Sequence, residues 1–162
     1  MTDFNESMEK FTVDGELRIG PDQLERELST HSLGAQQQYF NSAATRWRIL
    51  HLLSMIAQKG RTHLFKTICA MLAPDSVRYY FRRAAGFAHV ECVRMMLACC
   101  RELRDKKSKY VGEALSEASG AGHTEVVRLL LQQGKDAVQE HDLDHSLSYA
   151  SRRGDWHKIV DH

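Results

Sequence analysis

Proline is nearly missing from this sequence, with two in 162 residues. Proline breaks helix interiors by removing a backbone donor and clashing with the preceding turn, so its scarcity leaves long helices unobstructed. No apolar run approaches the roughly 20 residues of a membrane-spanning helix. The opening MTDFNESMEK is polar and acidic, unlike a secretory leader. Neither sign of charge prevails. Lys and Arg number 22 against 21 Asp and Glu, a formal net charge of +1, which gives no global reason to expect nucleic acid or an anionic membrane as partner. Cysteine is sparse too. Cys69, Cys92, Cys99 and Cys100 sit in apolar helical patterns without C-x-x-C spacing, and read as reduced core residues. There is no Gly-rich phosphate loop, no H-E-x-x-H and no G-x-S-x-G. The expectation is a cytoplasmic chain with no catalytic centre, no cofactor and no bound metal.

What is present is an ordinary globular composition, 43% hydrophobic and 27% charged, enough apolar content to build a core. The pattern is clearest in EALSEASGAGHTEVVRLLLQQG, residues 113–134. Leu115, Ala118 and Ser119 fall at helical spacing before a Gly-Ala-Gly turn. After it, Val126, Val127, Leu129, Leu130 and Leu131 make a wide apolar stripe, with Glu125 and Arg128 left for solvent. Thr124 and Glu125 suit a helix start, Thr124 as a backbone acceptor and Glu125 by its charge. Gly134 suits a helix end, as a residue free to take positive φ. Two short helices with one apolar face each need neighbours of the same shape to bury those faces.

On these residues the segment resembles an ankyrin repeat: the small pair Ala118-Ser119, the turn Gly122-His123, then Glu125-Val126-Val127 and the Leu triplet stand at the family's offsets. It departs at Ser116, where the family often has His, and at Glu113-Ala114, where Thr-Pro is usual. A looser copy lies 34 residues earlier, with Phe81, Ala84-Ala85, Ala88-His89 and Met95-Met96-Leu97 in register, close to the ankyrin period of about 33. Leu147, Ala150-Ser151 and Gly154 mark a later copy. Leu53, Ile56-Ala57, Gly60 and Leu64-Phe65 mark the weakest one. The reading is therefore all-α, a helical repeat solenoid of about four units near 43–73, 76–101, 110–135 and 143–162, forming one domain over 21–162.

Residues 1–20 stay open between a flexible arm and a hairpin around Asp14-Gly15, with Phe11 and Val13 set against Leu17 and Ile19. Pro21 and the acidic residues after it predict a helix over 21–31, with Leu24 and Leu28 as an apolar edge that caps the first unit. Trp47 reads as a core anchor between that cap and the first unit. The C-terminal unit has its first helix but stops after DWHKIVDH; a natural short cap, a cut from a longer protein, or an end that packs on a partner or on itself all fit.

Two readings compete with a non-catalytic module. His141 and His145, beside Asp142 and Asp144, have metal-ligand spacing but fall where a loop between units is expected, and Cys99-Cys100 lacks any activating motif, so a metal- or Cys/His-dependent enzyme is the weaker alternative. The basic run Arg101 to Lys109 offers weak nucleic-acid contact but lacks interleaved aromatics other than Tyr110, and reads better as a solvated helix end. His89 and His123 fall in turns that the ring supports by hydrogen bonds in the family.

The resemblance implies a protein–protein interaction module whose partner, another protein, lies along the concave face. Its groove positions fall in the first unit on Met55, Gln58 and Lys59. In the second they fall on Arg78, Tyr79, Arg83, Gly86 and Phe87. In the third they fall on Gly112, Glu113, Glu117, Gly120 and Ala121, and in the fourth on Tyr149, Arg152 and Arg153. The partner-binding set taken from them is Arg78, Tyr79, Arg83, Phe87, Glu117, Tyr149, Arg152 and Arg153, rich in the Tyr and Arg that dominate interface energetics. Gly120 and Ala121 predict a flat spot in the middle of the groove. Degenerate repeats of this kind also occur in effectors that intracellular bacteria deliver into a host's cytoplasm and in enzyme-regulating subunits.

Overall fold

The computed structural model describes residues 3–105, 109–134 and 137–152. Those residues are mostly helical, with one two-stranded hairpin, and divide into two compact units, Met1–Ser76 and Val77–His162. No helix among them is long and apolar enough to cross a membrane.

The first unit begins with a helix where the sequence left an arm or a hairpin open. Helix α1 (Phe4–Glu9) is only six residues long, yet Phe4 and Met8 are fully buried. Phe4 meets Tyr39 edge-on at 5.3 Å and Phe40 at 6.0 Å, and this aromatic cluster fixes a helix too short to persist alone. The hairpin follows. Strands β1 (Thr12–Val13) and β2 (Glu16–Leu17) pair antiparallel across Asp14-Gly15, whose φ values of 53° and 80° match a two-residue hairpin turn. Ile19 is buried, just beyond the second strand.

Helix α2 (Pro21–Thr30) starts with proline in its first turn and buries Leu24, while Leu28 is half-buried. Polar contacts fasten it. Ser7 donates to Glu27 at 2.5 Å, and Arg61 forks onto Asp22 and Glu25 at 2.8 Å each. After α3 (Leu33–Asn41) and a 3-10 turn come α4 (Arg46–Gln58) and α5 (Thr62–Met71), packed on one another. Asn41 closes α5: its amide donates to the Met71 carbonyl at 2.8 Å and accepts from the Ala73 N–H at 2.7 Å. Trp47 corrects the sequence reading, being 50% exposed. At 100° per residue it lies across α4 from Ile49, Leu53 and Ile56, which fill the core, and its ring rests edge-on against His51.

Helix α6 (Pro74–Gly86) runs across the division between the units. In the second unit follow α7 (Val90–Cys99), α8 (Arg101–Arg104), α9 (Tyr110–Ala121), α10 (Thr124–Gln133) and α11 (Glu140–Arg152). Helix α9 packs on both α10 and α11, and α10 also packs on α7. Cys92 is fully buried, and that burial pushes its thiol up to about 12. Cys69 and Cys100 are buried as expected, but Cys99 is half-exposed.

One turn joins α4 to α5, α6 to α7, and α9 to α10. In each, a residue of positive φ follows the first helix: Gly60 at 67°, Ala88 at 58° and Gly122 at 76°. The next N–H reaches back five residues: Arg61 to Ile56 at 3.2 Å, His89 to Ala84 at 2.9 Å, His123 to Ala118 at 2.9 Å. The positive-φ residue itself bonds three back, to Ala57, Ala85 and Ser119. This is a Schellman closure, repeated three times with three different sequences.

Two details of the 113–134 segment differ from expectation. Thr124 lies inside α10, and the capping position is His123, which makes no side-chain cap bond. Gly134 has φ −99°, so its glycine answers to space: an added Cβ would stand 2.8 Å from both the Leu130 carbonyl oxygen and Val111.

Candidate interaction groove

Helix α9 has two unlike flanks. Toward α6 it offers glutamates one turn apart, and α6 answers with arginines at the same spacing. Arg78 forks onto Glu113 at 2.7 and 2.5 Å, and Arg82 stands 3.6 Å from Glu117. Toward α11 it offers Gly112, Ser116 and Gly120, again four apart. Their smallness lets the α11 backbone approach closely. A Cβ on Gly112 would overlap the Asp142 carboxylate, and one on Gly120 would stand 3.0 Å from the Tyr149 ring. Between them Ser116 and Ser146 face each other at 3.4 Å. Of the two residues expected to leave a flat spot, Gly120 lies against the Tyr149 ring.

The 141–145 stretch is not a loop. It forms the first turns of α11, and Asp142 accepts from the backbone N–H of Gln139 at 2.9 Å, closing the helix start as the third residue of a capping box does. Among the described residues no three His, Cys, Asp or Glu side chains gather as a metal ligand set. His123, expected to support its turn, donates from Nε2 to the Gly86 carbonyl at 2.9 Å, tying the α9–α10 turn to the end of α6.

Along α9, α11 and the facing side of α6 runs a groove of about 620 Å³. Glu117, Tyr149 and Arg152, all expected at the binding face, line it. So do Arg82, Asp142 and His145, none of which the repeat register places at the binding face. Arg82 was legible in principle, since it stands 35 positions before Glu117 just as Arg78 stands 35 before Glu113. Tyr149 is 45% exposed, with its ring against His145 at 5.0 Å and the Arg152 guanidinium 6.0 Å from its centroid. On α6 the same pairing recurs, with Arg83 5.7 Å from the half-buried Tyr79 ring. Phe87 is 45% exposed beside His89 and does not line the groove. Arg78 is engaged with Glu113, and Arg153 lies outside the described residues. The basic run is described only at its ends: Arg101 and Arg104 belong to α8, and 106–108 lie outside the described residues.

Comparison with family models, curated proteins and solved structures returned no match to this chain.

Proposed function

We propose that this chain is an ankyrin-like repeat protein that acts by binding another protein, with the exposed side of α6, α9 and α11 as the contact surface. The observation that carries this reading is the threefold recurrence of one helix–turn–helix closure at Gly60, Ala88 and Gly122, with identical bond patterns around different residues. Repeats of this kind bury their apolar faces on each other and leave their variable positions on one surface. That surface carries Arg83, Phe87, Glu117, Tyr149 and Arg152 exposed, a mixture in which Tyr and Arg supply large, low-entropy contacts.

The test is affinity capture from lysate with the intact chain and with an Arg83→Ala/Phe87→Ala variant, both checked for the same helical circular dichroism. Both side chains are exposed, so the fold is expected to survive and the captured partner to be lost from the variant. A partner held equally by both proteins moves the contact away from α6.

A further inference from the structure

Two of the acids along the α9 groove are committed, and its guanidiniums are less fully engaged. Glu113 is held by both arms of Arg78, and Asp142 is committed to the start of α11 through the Gln139 N–H. The Arg82 contact to Glu117 is a looser ion pair. Arg82 lies 3.6 Å from Glu117, beyond hydrogen-bond reach, and its Nε is buried with no hydrogen-bond partner among the described residues. No carboxylate among the described residues pairs with Arg152, whose guanidinium stands over the Tyr149 ring. An arginine held against an aromatic face has already given up much of its rotamer freedom, so pairing it costs less.

We infer that the groove takes an acidic segment of a partner protein, with an Asp or Glu carboxylate bonded by Arg82 and Arg152 against Tyr149. Planar guanidinium forks match a carboxylate bidentately. Phosphate fits less well, since it sets two charges at one point beside Glu113, Glu117 and Asp142, which line the same groove, where a carboxylate sets only one. Arg83 on α6, also stacked on a tyrosine and without a carboxylate among the described residues, gives a second point for an acidic chain to follow. This inference rests on the proposed binding surface and names the chemistry of what binds there.

The experiment is selection of a displayed library of random peptides on the full-length chain, followed by fluorescence anisotropy of the enriched peptides against the intact protein and single variants. Expected are peptides enriched in Asp and Glu whose affinity falls about tenfold or more in Arg152→Gln. The same peptides should be unaffected by Arg128→Gln, an exposed arginine on α10. Arg152 is exposed, so its variant folds, and Tyr149→Ala gives an independent second loss. Neutral or basic peptides that are enriched, and lost in Tyr149→Ala, would keep the surface and overturn the acidic partner. Peptides indifferent to both variants, or none enriched, would overturn the surface and the inference together. Tighter binding of a single-stranded oligonucleotide, lost in Arg152→Gln, would replace the carboxylate by phosphate.

Discussion

Ala88 carries a backbone conformation that its side chain resists. At φ 58° a Cβ crowds the following carbonyl, at a cost of about 1–2 kcal/mol that glycine avoids. The equivalent positions in the other two turns are glycines. Ala88→Gly is therefore expected to raise stability by about 0.5–1 kcal/mol, the relief of strain outweighing the extra freedom of the unfolded chain. Gly60→Ala is expected to lower it by about 1 kcal/mol, and here the cost is conformational alone, because nothing stands within 4 Å of an added Cβ. Urea unfolding midpoints of the two variants should move in opposite directions; movement in the same direction would mean that the turns are not equivalent.

Among the elements, α11 is seated through contacts that tolerate no added atoms. Gly112→Ala drives a methyl into the carboxylate that closes the start of α11, and its expected cost is about 1–3 kcal/mol. Amide exchange should speed up in α11 more than in α10, whereas Gly34→Ala on α3, with open space around its Cβ, should be neutral or stabilising. Unchanged exchange in α11 would show that the carboxylate can step aside at no cost. The helix pairs themselves were legible in the sequence, because the residues before the turn and the turn itself sit at fixed offsets on each, with an apolar triplet after it on two of them. Helix α1 was not, since a six-residue helix has no periodicity to read and exists through the burial of Phe4 and Met8. Helix α11 starts without Ser, Thr or Asn at its cap, so the stretch holding its capping carboxylate, Asp142, reads from sequence as a loop between units. Trp47 was misplaced by counting apolar residues without following their phase around α4. In the groove, Tyr149, Arg152 and Glu117 were found by repeat register, but Arg82 became visible only once the glutamate opposite it was known.

For the whole molecule, alkaline pH is the condition that the buried tyrosine makes costly. Burial pushes the Tyr39 hydroxyl up to about 12, with the nearby Arg48 charge opposing the shift and Glu9 adding to it. The unfolded chain ionises near 10, so the contribution of Tyr39 is fully present below pH 10 and is lost as pH rises toward 12. The expected loss over that window is about 2 kcal/mol, and Tyr39→Phe should flatten that part of the stability profile. A Tyr39→Phe profile as steep as that of the parent would assign the alkaline loss to other groups. The unlike flanks of α9 also set how such a chain can grow. Duplicating the α9–α10 pair in tandem would set the glutamates of one copy against the Gly-Ser-Gly flank of the next, with no guanidinium to answer them and no Tyr149 to fill the space. Simple copying is thus a poor route to a longer array from this sequence, and each added pair would need its own matched neighbour.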